Sequence, residues 1–217
     1  MNYKVLDKTK WERLKHFEFF SKFEYPHFAI SVNLEITETF RFARKEKVSL
    51  GTSMLYAVMK AANATKEFRY RINPEGNVLV YDTVHPGLTH LYKDDVYTNF
   101  VFDYDAKFVN FIENYSAGAG KSKREELIIG EKQASRLDLV YLSSLPWVKF
   151  THVMNPVRLG YTDSIPRIIY GKYFKENKKI MMPFSVQVNH CLMDGIHASK
   201  YFMLLEHMLK NPAETFL

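Results

Sequence analysis

Between Pro183 and Gly195 the chain changes its period, and that change limits the folds open to it. Phe184, Val186 and Val188 alternate with Ser185, Gln187 and Asn189, the two-residue repeat of a half-buried strand. Asp194-Gly195 ends the repeat, because aspartate bonds its own backbone and glycine accepts positive φ. From Ile196 to Lys210 the apolar residues Phe202, Leu205, Met208 and Leu209 fall near helical spacing. A strand therefore delivers His190 to a turn that leads into a helix. Polar groups there are held rigidly while staying reachable from a cleft.

The rest of the chain supplies strands and helices in alternation. Trp11, Leu14, Phe17 and Phe20 or Phe23 form the buried stripe of a helix over Lys10 to Phe23, ended by Pro26. Phe28, Ile30, Val32 and Leu34 make a strand, and Thr37 or Thr39 caps a helix running to Lys45. The segment from Gly51 to Thr65 is apolar nearly all round and reads as a deeply buried helix. Arg69 to Ile72 and Val78 to Tyr81 flank Asn73-Pro74-Glu75-Gly76-Asn77 as a hairpin.

Further strands are expected over Thr83 to Tyr92, Tyr97 to Asp103, Leu137 to Ser143, Val148 to Val153 and Pro166 to Phe174, with a helix over Ala106 to Tyr115. Ser116 to Gly120 reads as a small, flexible link, and Lys121 to Lys132 as helix or loop. The sum is an α/β two-layer sandwich, an α+β arrangement in which a mixed sheet of six or more strands is covered by four or five helices. No repeat or linker divides the 217 residues, so one domain over 1–217 is expected.

Composition narrows the function classes. The formal charge of +6 raises the question of nucleic acid, but the basic runs sit beside acids. Lys121-Ser122-Lys123-Arg124 is followed by Glu125-Glu126, and Arg44-Lys45 by Glu46-Lys47. Solvated surface explains these runs better, and the charge still helps attract an anionic cofactor. Cys191 is the single cysteine, so there is no intrachain disulfide and no cysteine-rich metal site. Met1-Asn2-Tyr3-Lys4 opens no signal peptide and no apolar run reaches membrane-spanning length. A cytoplasmic protein without nucleic-acid, membrane or metal partners is expected.

His190 and Asp194 carry the chemistry. Average residue usage yields histidine, three arbitrary residues and Asp-Gly by chance in roughly one chain in fifty of this length, so spacing alone leaves two readings. One is a core histidine bonded to a turn aspartate. The other is a general base, with one ring nitrogen accepting a proton from an alcohol or thiol while the other is held. Asp194 sits across a tight turn and can equally turn aside to pair with an arginine. Cys191 as nucleophile fits poorly, since alternation points it away from His190.

The run Val186-Gln187-Val188-Asn189-His190-Cys191-Leu192-Met193-Asp194-Gly195-Ile196-His197 resembles the signature of the chloramphenicol acetyltransferase family. Trp11 to Phe20, Glu67 to Ile72, Tyr81 to Pro86, Leu145 to Phe150 and Gly171-Lys172-Tyr173 resemble further family segments in the same order and spacing. The resemblance implies a homotrimer with active sites at subunit interfaces, acetyl-CoA as co-substrate and a small hydroxyl compound as acceptor. It implies that His190 deprotonates the acceptor, that the hydroxyl attacks the thioester directly, and that Asp194 pairs with Arg13 to fix the loop. Lys172 and Tyr173 match cofactor-side residues that meet a phosphate and the adenine face, respectively; on sequence alone they read equally well as one exposed lysine and one packed tyrosine.

Three departures bear on the substrate. His152 stands where the family has the serine that donates to the tetrahedral oxyanion, and an imidazole N–H can also donate there. Ile169 replaces a threonine that holds a structured water, and Asn189 replaces a second histidine. Near Val48-Ser49-Leu50-Gly51 the family's basic and aromatic residues by the nucleotide give way to Ser49 and Gly51. An acyltransferase for a different acceptor, and a trimeric binding protein without turnover, are the competing expectations.

Overall fold

The computed structural model describes residues 2–121 and 136–217. Among them, seven strands form one sheet in the order β2-β10-β8-β7-β5-β6, with β9 paired to β10. The strands are β2 (His27–Glu35), β5 (His85–Leu91), β6 (Tyr97–Val101), β7 (Leu139–Leu145), β8 (Arg167–Gly171), β9 (Phe174–Glu176) and β10 (Lys179–Asn189). β7 runs parallel to β5 and β8, and the other pairings are antiparallel. A separate sheet joins β1 (Tyr3–Val5), β4 (Val78–Tyr81) and β3 (Tyr70–Ile72). The expected mixed sheet and helical layer are present.

Strand register explains the core. Ile30, Val186, Ile168, Leu142, Leu88 and Phe100 are successive cross-strand partners over six strands, so one row of side chains on one face is apolar. That face packs against helices α2 (Thr37–Lys45), α3 (Leu50–Ala64) and α5 (Gly195–Lys210). α3 is buried over Ser53 to Met59 and again at Ala61 and Ala62, as an all-round apolar helix must be. The neighbouring row on the opposite face is Ser31, Ser185, Ile169 and Ser143, continued by Thr89 and Asn99. β10 is buried on both faces, not half-buried. The connection through Val153, Asn155 and Tyr161 lies over its polar side chains, and Ser185, Gln187 and Asn189 all bond to that connection's backbone.

Several local expectations are corrected. The first helix is shorter, α1 covering Leu14–Phe20 after a 3₁₀ turn at Lys8–Lys10. Neither threonine caps α2. Thr37 Oγ1 instead bonds Glu35 and accepts from Ile180 N–H, and Thr39 bonds the Leu209 carbonyl. Ser116 to Gly120 is helical, because α4 runs Phe108–Lys121. A β-carbon on Gly118 would lie 3.0 Å from Phe102 and 3.3 Å from Phe100, so the glycine lets the helix approach the sheet rather than breaking it. Val148 to Val153 forms no strand, since among the described residues its backbone makes only isolated bonds: Val148 N–H to the Leu145 carbonyl, Lys172 N–H to the Val148 carbonyl, and Ser185 Oγ to the Val153 carbonyl at 2.8 Å. The expected strand over 166–174 breaks at Lys172 into β8 and β9. The Lys121 to Lys132 expectation falls, beyond Lys121, outside the described residues. The last helix, α6, covers Pro212–Phe216.

Arg71 joins the two sheets. It is fully buried, and its guanidinium donates to the carbonyls of Phe68, Tyr70, Leu137 and Leu139. Burial pushes it down to about 9, yet four carbonyl acceptors satisfy the charge without a carboxylate contact.

Candidate active site

His190 follows the last residue of β10, and its backbone N–H donates to the Pro26 carbonyl at 2.7 Å. Its ring stacks on Phe20 with centroids 3.9 Å apart and planes within 10°, and Phe28 lies against it at 4.8 Å. Nδ1 is buried, so the ring's remaining exposure, 32 %, lies on its other edge. Nδ1 is 3.1 Å from Asp194 Oδ1, but the N–H direction misses the carboxylate and no directed hydrogen bond forms.

Asp194 is engaged by Arg13. The two guanidinium nitrogens reach both carboxylate oxygens, Nη2 to Oδ1 at 3.0 Å and Nη1 to Oδ2, and Nη2 also donates to the His190 carbonyl at 3.2 Å. A planar fork suits this two-point contact. Burial opposes the charge on Asp194, but Arg13, helped by His190 and His197, holds its carboxyl below the usual carboxylate range. Asn189 fixes the turn from the other side. Its amide donates to the Tyr161 and Asp163 carbonyls and its oxygen accepts from Cys191 N–H.

Cys191 lies in a small second core with Phe17, Tyr70, Ile72, Val78 and Leu192. Burial pushes its thiol up to about 12, so it is no nucleophile at neutral pH. In the native protein, iodoacetamide is expected to leave Cys191 unlabelled over hours, and Cys191→Ala to retain activity; rapid labelling read by mass spectrometry would contradict this burial.

His152 is exposed, with Nδ1 3.1 Å from Ser31 Oγ. Ser31 pairs with Ser185, whereas His27 pairs with Asn189 beside His190. Four residues of strand separate these positions, roughly 13 Å at 3.3 Å per residue. Within one chain His190 and His152 are therefore not brought together. Ile169 lies between Ser185 and Ser143 in the polar row. A cavity of about 780 Å³ opens on that face, lined by Thr89, Tyr97, Asn99, Ser143, Trp147 and Arg167, and it includes neither His190 nor Asp194.

Lys172 is exposed and Tyr173 half-exposed. Tyr173 lies 5.4 Å from the Phe40 ring, over which the Arg44 guanidinium sits at 5.5 Å. Nothing in the sequence joined Phe40 and Arg44 to this corner. Ser49 caps α3 through its contact with Thr52 N–H, and a β-carbon at Gly51 would meet only Ser49 Oγ. Together they open a cavity of about 160 Å³ shared with Ser143, Ser144 and Tyr170. Among the described residues no group of histidine, cysteine and carboxylate side chains is arranged for a metal ion, and no helix is long and apolar enough to cross a membrane.

The family model described as chloramphenicol acetyltransferase matches residues 1–206. The chain belongs to the chloramphenicol acetyltransferase family. It is 29% identical to the chloramphenicol acetyltransferase of Clostridium perfringens over 218 residues, covering 100% of this chain and 99% of that protein. A solved chloramphenicol acetyltransferase superposes with a TM-score of 0.85 at 26% identity, covering 96% of this chain and 100% of that one. The dihydrolipoamide acetyltransferase of Azotobacter vinelandii shares the fold alone, at TM-score 0.70 and 17% identity over 94% of this chain and 89% of that one. As a chloramphenicol acetyltransferase family member the chain is an acyltransferase.

Proposed function

We propose that this chain is an acetyl-CoA-dependent O-acetyltransferase in which His190 is the general base. The hydroxyl proton of the acceptor passes to the exposed Nε2 edge of His190, and the oxygen attacks the thioester carbonyl. The carbon–sulfur bond then breaks, and the CoA thiolate leaves with the proton returned by His190. No acetyl-enzyme forms. The observation that carries the reading is the clamp on His190: stacked on Phe20, bonded through its backbone to Pro26, and backed by an Arg13–Asp194 pair that grips the turn. Asp194 is a positioning group in this reading, since Nδ1 does not point a hydrogen bond at it.

The oxyanion donor is His152 of a second copy in a homotrimer. Two facts support this: the roughly 13 Å of strand between the positions in one chain, and the exposed Phe19, Phe23 and Tyr25 around the His190 side of the fold. When Ser31 donates its hydroxyl proton to Nδ1, the His152 ring proton sits on Nε2 and is free to meet an oxyanion. Lys172, Tyr173 and the neighbouring Phe40 and Arg44 suit the phosphate and adenine of acetyl-CoA. A cytoplasmic location fits a co-substrate of that kind.

Release of thiol from acetyl-CoA, with and without chloramphenicol, tests the reading. Chloramphenicol-dependent release supports it in full. Acetyl-CoA binding without release favours a different hydroxyl acceptor, the reading that His152 and Ile169 in the acceptor wall bring forward. His152→Ala is expected to lower kcat about a hundredfold through loss of one oxyanion donor. His152→Ser restores a hydroxyl donor and is expected to keep or raise activity toward chloramphenicol. Equal and large losses in both variants would give His152 some other role.

A further inference from the structure

The turn that holds the Arg13–Asp194 pair is itself supported from behind. Asp194 stands at the N-cap of α5, and its backbone N–H donates to Nδ1 of His197 at 2.9 Å. A glutamate or glutamine is the ordinary residue for this reach back to the cap. An imidazole performs it only when Nδ1 is bare, so the ring proton must sit on Nε2. His197 Nε2 lies 3.7 Å from Glu67 Oε1. A carboxylate at that distance attracts a proton on Nε2 and so favours the one tautomer that leaves Nδ1 free to accept.

We infer that Glu67 and His197 are positioning residues for the acyl transfer, setting the Asp194 turn and through it Arg13 and His190. The inference rests on the assignment of His190 as base. Its physical path is short: the Glu67 carboxylate biases the His197 tautomer, Nδ1 holds the Asp194 N–H, the Asp194 carboxylate holds the Arg13 fork, and Nη2 of that fork holds the His190 carbonyl. Neither residue touches a reacting atom. A cavity of about 400 Å³ behind Arg13, lined in part by Lys66, Glu67, Tyr70 and His197, admits water to the carboxylate. Substitution at either position therefore strands no fully buried charge, and the fold is expected to survive it.

Two measurements on this chain test the inference. Nitrogen-15 NMR of labelled histidine reads the His197 tautomer without any need for turnover, and a bare Nδ1 is the expected result. A protonated Nδ1 in the wild-type protein overturns the inference. Kinetics then compare His197→Ala with His197→Asn, whose Oδ1 takes the place of Nδ1. His197→Ala is expected to lower kcat about tenfold with KM for acetyl-CoA unchanged, and His197→Asn to return to within about twofold of wild type. An unaffected His197→Ala, or an Asn variant as impaired as the Ala variant, overturns it. If wild type transfers acetyl to none of the hydroxyl compounds offered, that failure bears on the acceptor and the proposed function, separately from this inference. The His190 ring resonances then provide the readout, moving in His197→Ala and returning in His197→Asn if the inference holds, and staying fixed in both if it does not.

Discussion

His190→Ala is expected to lower kcat for acetyl transfer by about 10²- to 10⁴-fold, the usual contribution of a positioned acid–base group. The structure makes the substitution clean. The imidazole uses one flat face on Phe20 and a tilted contact to Phe28, and its buried Nδ1 makes no directed hydrogen bond. Truncation therefore removes about 1 kcal/mol of aromatic contact and breaks no side-chain hydrogen bond. The backbone N–H to Pro26 and the Arg13 contact to the His190 carbonyl both survive, because neither involves the side chain. Thermal unfolding should stay within a few degrees of wild type, and acetyl-CoA should still protect the protein. Turnover within tenfold of wild type, measured as thiol release, would remove His190 from the mechanism. The competing picture of a core histidine bonded to a turn aspartate makes the opposite pair of predictions, intact turnover and lost stability. The missing Nδ1 hydrogen bond already weighs against that picture.

What the sequence disclosed, and what it hid, follows from the range of the interactions. The strand–turn–helix at 182–210 was legible because its signals are local: a period of two, then Asp-Gly, then a helical stripe. The apolar row from Ile30 to Phe100 was half legible, since β2 and β10 showed their alternation but register joins the six strands only in three dimensions. Ser116 to Gly120 was misread because glycine and small residues signal a break locally, while here close packing on Phe100 and Phe102 overrides propensity. Val148 to Val153 has strand composition but makes isolated bonds, to Leu145, Lys172 and the Ser185 hydroxyl, instead of a ladder with a neighbouring strand, and composition carries no record of that choice. At the site, the pairing of Arg13 with Asp194 spans 181 positions and came from family resemblance, not from any local pattern. The roles of Phe20 beneath His190, of Asn189 in clamping the 161–163 connection, and of Phe40 and Arg44 beside Tyr173 had no sequence signal at all. Phe20 was visible only as one member of a helical stripe, where a platform and a core residue look alike.

Arg13→Ala is expected to have the larger structural effect and a distinctive pH signature. The guanidinium side chain is 11 % exposed and the Asp194 side chain 29 %, so removing the arginine leaves a carboxylate with restricted access to water. Losing one member of a fully buried pair costs about 3–5 kcal/mol; with Asp194 partly wet, about 2 kcal/mol is the better figure, or a fall in Tm of about 6 °C for a chain of this size. The pH dependence separates charge pairing from simple packing. Arg13 holds the Asp194 carboxyl below its ordinary range despite the opposing effect of burial. The pair's stabilisation is thus fully present above the ordinary carboxylate range and disappears as pH falls through the depressed folded-state value. The gap in Tm between wild type and Arg13→Ala should accordingly be widest from about pH 5 upward and narrow as pH falls below the ordinary carboxylate range, closing only once Asp194 is neutral in wild type as well. A gap that stays constant across that window would mean the arginine acts through its aliphatic stem alone. Activity should fall with the pair, by about a hundredfold, because a turn released from the fork lets His190 drift on the scale of an ångström. Arg13→Lys supplies a charge without the fork, and it should recover more of the stability at neutral pH than of kcat. That asymmetry follows from what the pair does: a point charge is enough to keep Asp194 ionised, but only two parallel hydrogen bonds fix the direction of the turn that carries the base.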